Sequence, residues 1–527
     1  MARGARPERY DVLPNFIGGL NTVSAEVAMG ETQVRAATNA RITQFGAVQK
    51  RGGTKVMSNP AQFVDAAMTG LTQWELSNGT RYVVAGNNGA LYTALYANMN
   101  TAFDVVPSSA VTVGARLSFA DFRDSTQDML FVADGGALNG IYIGGGPPDP
   151  AWSGDIASTP NVADLEAFNQ RLWGCGNATY PQAIFYSAEN DGTTLGIGAS
   201  GGGQINVRTF GQQNVVAVKA LGTSLMIFHR GGVSRLTGFG QDDTQVLPAG
   251  VTGEVGTTAR DSIVQVGNVL YYVNVRGLFV ATPDGVMPVS TPEKPDPLTA
   301  ILPSLTEAQL EGVVCAFSRP TNELLISIPS VGVYTYHVVV QAWAGPWVGT
   351  YQTTDTQLLA EVGDSANAPV VLKGSPAGTI ELVDASGSTT DSATFNGTAG
   401  TPFTMTVTCR RFFFGDSAEV KSFRYAYLVA DLQGSPNVDL AWTTSDSNGG
   451  SYTLVQSGAE NLTTETDEDL TTETDEPLAV TAPANSIRCP LWGTGYYADL
   501  TFTHADTDAL PSISRVEAMG FGLGRRE

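Results

Sequence analysis

Apolar and polar positions along this chain fall into short runs that end in turn residues, and helical spacing is scarce. The clearest run is Asn268 to Val286, NVLYYVNVRGLFVATPDGV. An apolar, aromatic and β-branched stretch through Val269, Leu270, Tyr271, Tyr272 and Val273 meets a bend at Asn274 to Gly277. A second stretch follows through Leu278, Phe279 and Val280, and then a Pro-Asp-Gly turn at Pro283 to Gly285. This is the signature of a β-hairpin. One hairpin cannot bury its own apolar face, so the chain must supply neighbours of the same kind.

It does so between about Leu71 and Asp384. Related patterns begin at Arg81 (RYVVAGNNGALYTA), Asp128 (DMLFVADGGALNGIYI), Arg171 (RLWGCGNATYPQAIFYSA), Ser224 (SLMIFHRGGVSRLTG), Glu323 (ELLISIPSVGVYTYHV) and Val370 (VVLKGSPAGTIELVD). Consecutive copies begin about 40 to 55 residues apart, the length scale of a four-stranded propeller blade. The spacing predicts six or seven repeated sheet units over residues 71–384, with strands such as VVAVKAL from Val215 and DSIVQVG from Asp261 as further edges. Unrelated β-meanders packed in sandwiches are the competing arrangement.

A composition change at Asp384 to Thr401, DASGSTTDSATFNGTAGT, marks a linker or a long exposed loop. Residues 385–527 then read as a β-sandwich built from FTMTVTCRRFFF, KSFRYAYLVADL, NVDLAWTTS, SYTLVQSG, YYADLTFTHA and ISRVEAMGFGL. Within them, residues 462–477 form a direct repeat, LTTETDED then LTTETDEP. Its carboxylates, among them Glu465, Asp467, Glu468, Glu473, Asp475 and Glu476, repel one another and predict a solvated loop or hairpin tip. Residues 1–70 read as an arm with Arg3, Arg6 and Arg9, followed by a docking segment. There Val27 to Asn39 predicts one short helix, and Ile42 to Gln49 a strand pair turning at Phe45-Gly46. The fold class expected is therefore all-β, a β-propeller-like body followed by a β-sandwich.

Composition supports this and narrows function. Over 527 residues, 59 glycines and 27 prolines require many turns. Lys and Arg number 29 against 51 Asp and Glu, a formal net charge of −22. That balance disfavours wrapping nucleic acid, whose affinity comes largely from neutralised phosphates. It suits a wall past which DNA slides without sticking. The cysteines, Cys175, Cys315, Cys409 and Cys489, are far apart and lack metal-ligand spacing, so buried thiols in a reducing compartment are expected. No run approaches the roughly 18 apolar residues of a membrane span, and the N-terminus lacks a signal-peptide core, so a soluble protein made in the cytosol is expected.

Candidate chemistry is thin. His229, His337 and His504 stand in separate strand-like segments, and no G-x-S-x-G or H-E-x-x-H accompanies them. The run GIGASGGG (Gly196 to Gly203) lacks the Lys-Ser/Thr of a phosphate cradle, and DSNGG (Asp446 to Gly450) lacks the distal Glu of a calcium loop and reads as a hairpin turn. No cofactor or metal is expected. The enzyme reading with most support is sugar hydrolysis by paired carboxylates, with Trp173, Trp343 and Trp347 as a sugar platform.

The opening NFIGGLN (Asn15 to Asn21), then NAR (Asn39 to Arg41) and GAVQKRGG (Gly46 to Gly53), resembles the start of tailed-bacteriophage virion proteins, especially tail nozzle (tail tubular B) and tail-hub proteins. NQRLWGCG with IFYSAENDG, HRGGVSRLTGF (His229 to Phe239) and VRGLFVATPDGV (Val275 to Val286) look like the same family, and spread the resemblance over about two thirds of the chain. The resemblance implies a non-enzymatic structural protein of the virion, synthesised in the host cytoplasm. It would form a homohexameric ring below an adaptor and portal, with fibres or tail-tip proteins attached and genomic DNA passing through its lumen; the excess of Asp and Glu, repeated around such a ring, would make that lumen acidic. Interaction candidates are Arg3, Arg6, Arg9, Phe16, Lys50, Arg51 and the acidic repeat. A receptor-binding or baseplate protein is the alternative, and a polysaccharide-degrading tail enzyme a further one.

Overall fold

The computed structural model describes residues 8–524 except 60–61, 102, 124–126, 144–149, 208–212, 238–244, 249–254, 354–356, 386–387, 393–399, 415–418, 432–436, 455–459, 462–478, 481–485, 506 and 508–509. The fold is mostly β, and most of its strands lie in small antiparallel sheets.

The hairpin at Asn268 shows why. Leu270, Tyr272, Phe279 and Ala281 pack with Ala217, Met226 and Phe228 in one apolar cluster. Tyr271, Val273 and Leu278 point the other way and pack with Leu324, Ile326, Tyr334 and Tyr336 in another. A strand buried on both faces cannot alternate apolar with polar, hence the unbroken run VLYYV. Each Leu, Ile, Val, Met or Phe side chain among them contributes about 1.5–3 kcal/mol on burial.

Each of the seven repeated hairpins is present as two successive strands within a four-strand unit. The first sheet comprises Met68–Glu75, Arg81–Asn87, Ala90–Leu95 and Asp104–Val105; the second, Ser118–Arg123, Asp128–Ala133, Asn139–Ile143 and Pro150–Trp152. The third comprises Asp164–Phe168, Arg171–Cys175, Ala183–Tyr186 and Gly203–Asn206; the fourth, Val215–Leu221, Ser224–His229, Val233–Thr237 and Gln245–Pro248. The fifth comprises Val264–Val266, Val269–Asn274, Gly277–Thr282 and Gly285–Pro288; the sixth, Val314–Ser318, Glu323–Ile328, Gly332–His337 and Ala342–Trp347. In the seventh, Leu358–Gly363, Pro369–Gly374 and Ile380–Leu382 receive their fourth strand from Lys55–Val56, more than three hundred positions earlier in the chain.

Apolar clusters join successive sheets. Trp74 and Val84 meet Leu130 and Val132; Phe131 meets Leu165 and Leu172; Trp173 and Ile184 meet Val218 and Ile227. Leu325 and Trp347 of the sixth sheet meet Leu359 and Val371 of the seventh. Leu372 and Ile380 of the seventh meet Val83, Ala85 and Tyr92 of the first.

The sixth sheet continues beyond Ala342–Trp347 through Gln33–Thr38, Met405–Cys409, Ala498–His504, Val438–Thr444 and Gly449–Leu454, giving ten strands once Gly19–Leu20 is included. A six-stranded sheet contains Ala40–Ile42, Val48–Lys50, Ser512–Gly524, Val420–Asp431 and Ser486–Gly495, with Glu8–Leu13 on Ser512–Gly524. Val407, Leu440 and Phe502 of the larger sheet share one core with Phe423, Leu428, Val516 and Ala518 of the smaller.

The strand pair around Phe45-Gly46 is present. The helix expected over Val27 to Asn39 is not. Only Glu26–Ala28 forms a single uncapped 3₁₀ turn, and Gln33–Thr38 is a strand between Ala342–Trp347 and Met405–Cys409. Two waiting sheet edges outweigh the weak helical preference of this stretch. The expected linker near Asp384 to Thr401 is tied down where it is described: Ala385 N donates to Gly53 O at 2.9 Å, and Thr390–Asp391 pairs with Thr401–Pro402. DSNGG forms the turn between Val438–Thr444 and Gly449–Leu454.

Candidate functional site: a buried cationic junction and a charged seam

After Gln33–Thr38 the chain turns at Asn39, forms the hairpin Ala40–Ile42 and Val48–Lys50, and crosses at Arg51-Gly52-Gly53 to its place in the seventh sheet. Arg51 therefore sits where the ten-stranded, six-stranded and seventh sheets meet, and it is fully buried. Its two terminal nitrogens donate to the two oxygens of Asp391, each at 2.6 Å. Nε donates to Asn39 Oδ1 at 3.1 Å, and the remaining donors reach the carbonyls of Gly52 and Val348 at 3.1 and 3.2 Å. The guanidinium lies 3.7 Å from the centre of the Phe403 ring and 4.8 Å from that of Tyr351. A planar fork with every edge occupied is what a desolvated cation requires, and Lys cannot supply it.

Around Arg51 the other motif residues are spent on the same junction. Asn39 Oδ1 also accepts from Val348 N at 2.9 Å, while its amide donates to Thr404 O at 2.9 Å. Arg41 bridges Glu323 and Asp384, and Asp384 accepts from Gly52 N at 2.6 Å. Burial pulls the Arg41 pKa down, but the two carboxylates outweigh it and hold the guanidinium charged. Lys50 Nζ is 3.3 Å from His504 Nδ1 and 4.6 Å from the Phe403 ring centre. Lys373 pairs with Glu381 at 2.9 Å, and Glu381 accepts from Thr54 Oγ1 at 2.7 Å. Two glycines permit the close approach. A Cβ on Gly53 would lie 2.0 Å from Thr390 O, and one on Gly19, at φ +68°, would lie 2.6 Å from Trp343 N. Phe16 is buried in the core between the two large sheets.

A second charged cluster runs along the first strands of the second, third and fourth sheets to the turn that opens the fifth. Asp164 accepts from Ser118 Oγ at 2.7 Å and Val218 N at 3.0 Å, with Lys219 Nζ at 3.6 Å. Lys219 also reaches Glu166 at 3.5 Å, and Glu166 accepts from Ala220 N at 3.1 Å. Asp261 is held by Arg116 at 2.5 Å and Arg260 at 2.9 Å. Burial pushes the Asp261 carboxyl up, but Arg260 and Arg116 prevail and hold it at about 2. For Lys219 burial works downward and is outweighed by Asp164 and Glu166, so its pKa is raised. Burial, reinforced by Asp164, keeps the neighbouring Cys175 thiol protonated. Sequence reasoning missed this seam; its trace is isolated charge inside apolar strands, DLEAF and VVAVKAL.

At the first sheet's contact with the second, Asp121 accepts from Glu75 N at 3.3 Å. Asp121 itself is exposed at the strand surface, and partial desolvation there, with Asp128 and Glu75 nearby, pushes its carboxyl up to about 6, an effect on stability that solvent screening keeps small. An unfolded Asp titrates near about 3.9, so the native state binds the extra proton between those values and stability falls as pH rises through that window. Asp121→Asn keeps an acceptor for Glu75 N and removes the charge. We expect it to raise the melting temperature at pH 7 and to leave it nearly unchanged at pH 4; equal shifts at both values would refute this origin.

The interaction candidates distribute as follows. Arg9 pairs with Glu419 inside the chain. Phe16, Lys50 and Arg51 are buried in intramolecular contacts, so they are not surface groups available to a partner. Arg3, Arg6, Glu465, Asp467, Glu468, Glu473, Asp475 and Glu476 lie outside the described residues. Trp173, Trp343 and Trp347 are buried between sheets and present no platform to a sugar, which corrects that expectation. His229 is buried with Nε2 2.8 Å from Ser234 Oγ, and burial lowers its pKa to about 4. His337 and His504 are buried as well. The four cysteines are free and buried, and burial pushes Cys409 and Cys489 up to about 12. Among the described residues no group of three metal-ligating side chains converges.

No family model matches the sequence, and no curated protein matches it. Solved structures with a detectable likeness include the extracellular domain of a hybrid two-component system from B. thetaiotaomicron, at 10% identity and TM-score 0.39, covering 61% of this chain and 39% of that one. The extracellular domain of a second such system from the same organism shows 15% identity and TM-score 0.37, covering 61% of this chain and 40% of that one. The chain thus spans well under half the length of either.

Proposed function

We propose that this chain is a structural protein of a bacteriophage tail, a nozzle or hub subunit whose copies form a ring that continues the DNA channel below the adaptor and portal. One observation carries the reading. The residues on which the nozzle resemblance rests, from Phe16 through Asn39 and Arg41 to Lys50, Arg51 and Gly53, are scattered in sequence yet take part in one contiguous buried framework. A shared motif spent on architecture is what a shared structural role requires, whereas a shared chemistry would spend it on a cleft.

In this reading the seven four-strand units close as a β-propeller. The apolar contact of the seventh with the first, and the Lys55–Val56 strand that completes the seventh, support closure. The two large sheets then form a β-sandwich braced to it. Such a body is a rigid wall element, and the formal charge of −22 suits a lumen that repels DNA. The ring is a homohexamer; its partners are the adaptor or portal above and fibres or tail-tip proteins below, and its location is the virion.

Cryo-electron microscopy of assembled particles carrying a density tag on this chain is the test. The tag is expected as a ring beneath the portal. Its absence from the particle, or its presence only at fibre tips, would overturn the reading.

A further inference from the structure

The first and seventh sheets come from opposite ends of the repeat region and pack through Val83, Tyr92, Leu372 and Ile380. Beside this apolar contact a cleft of about 220 Å³ remains. Gln73, Arg81, Val83, Leu95 and Tyr96 line it from the side of the first sheet, and the turn beginning at Gly363 and Asp364 lines it from the seventh. Such a volume lies below the roughly 300–1,000 Å³ of sites for drug-sized molecules, so an occupant is about one ring in size.

Three planar side chains of the cleft are fixed along one edge and leave the other edge unused. Arg81 gives Nε and Nη2 to the Glu75 carboxylate, both at 3.0 Å, which leaves Nη1 without a partner among the described residues. Gln73 Oε1 accepts from Gly363 N across the sheet junction, which leaves the amide nitrogen. Asp364 Oδ1 accepts from the Ala366 and Ala368 amides, each at 2.8 Å, which leaves Oδ2. Tyr96 adds a hydroxyl; burial, with Asp364 nearby, raises its pKa and keeps the proton on the oxygen. All four residues are half-buried.

The unused atoms differ in kind. Arg81 and Gln73 donate, Asp364 accepts, and the Tyr96 hydroxyl does both, with Val83 and Leu95 as the apolar part of the lining. An ammonium group would use Asp364 alone and face two donors. An anion would meet the Asp364 carboxylate, while Arg81 is already neutralised by Glu75. A neutral ring bearing hydroxyl groups, each both donor and acceptor, uses all four groups and rests its C–H bonds on the apolar lining. We propose that this cleft binds a single neutral pyranose, free or as the end residue of a glycan chain. Because the planar side chains are fixed before the sugar arrives, little ordering cost remains for binding. The cleft belongs to one subunit, so the site stands independently of the ring.

Saturation-transfer NMR on the full chain tests this, with glucose, galactose and N-acetylglucosamine as probes. Methylammonium, acetate and glycine serve as cationic, anionic and zwitterionic comparisons. At least one pyranose is expected to bind at millimolar concentration, and none of the three comparisons is. Asp364→Asn keeps the oxygen that holds the turn and replaces the unused one with a donor, while Tyr96→Phe removes only the hydroxyl. The double variant, shown by thermal melting to be folded, is expected to bind the sugar at least about tenfold more weakly. An oligosaccharide ending in the bound sugar separates the two sources: equal competition supports a glycan end, and failure to compete supports the free sugar. No binding by any of the three pyranoses, or sugar binding that the double variant leaves unchanged, would overturn the proposal. So would binding of methylammonium, acetate or glycine that the double variant abolishes.

Discussion

Arg51→Ala is expected to destabilise the protein by roughly 3–5 kcal/mol, the cost of breaking a buried ion pair by removing one partner. Asp391 is 1% exposed and both its oxygens are committed to Arg51, so the substitution strands a carboxylate with no water to replace the lost donors. Asn39 Oδ1 and the carbonyls of Gly52 and Val348 lose a donor as well, and the Phe403 ring loses the cation stacked on it. Arg51→Lys should recover only part of the loss, because an ammonium cannot span both carboxylate oxygens and the flanking carbonyls in one plane. Arg51→Met combined with Asp391→Leu should be milder than Arg51→Ala alone, since no charge remains buried. Chemical denaturation of the set checks this. A loss below about 1 kcal/mol for Arg51→Ala would mean that water or a rearranged cation fills the site.

The repeated hairpins were legible because hairpins are local. In NVLYYVNVRGLFV the strands, the bend and the glycine lie within one window, and the structure retains that register from Leu270 with Ala281 to Asn274 with Gly277. What sequence reading missed depends on distant partners. Gln33–Thr38 looks helical until the edges of Ala342–Trp347 and Met405–Cys409 are both beside it. Ser486–Gly495 was not foreseen as a strand because Pro490 and two glycines interrupt it; it is tolerated at the rim of its sheet, where Pro lacks no ladder partner. Lys50 and Arg51 entered the sequence reading as interaction candidates. Their burial depends on Asp391, Phe403 and His504, hundreds of positions away, and no local pattern announces a counter-charge at that range. For the same reason sequence reading passed over Asp164 and Lys219, single charges inside the apolar strands DLEAF and VVAVKAL.

Asp164→Ala is expected to cost a comparable 3–5 kcal/mol or so, and to do it by uncoupling sheets rather than by loosening one. Asp164 is 1% exposed and belongs to the third sheet. Its Oδ1 accepts from Ser118 of the second sheet, and its Oδ2 accepts from the Val218 amide of the fourth, with the Lys219 ammonium beyond. Alanine leaves the Val218 N–H without this acceptor and Lys219 with Glu166 as its remaining close carboxylate. The apolar clusters between these sheets, around Phe131 with Leu165 and Trp173 with Val218, would persist and keep the chain compact. The loss should therefore appear as local opening. Native-state hydrogen exchange is expected to show protection falling together in Ser118–Arg123, Asp164–Phe168 and Val215–Leu221, while Arg51 and the strands of the sixth and seventh sheets hold theirs. Asp164→Asn should fall between the wild type and alanine, since one oxygen still accepts but the ammonium loses a counter-charge. Uniform loss of protection through the whole chain would instead mean that the sheets unfold as a single unit, and that the seam is not a separable fastening.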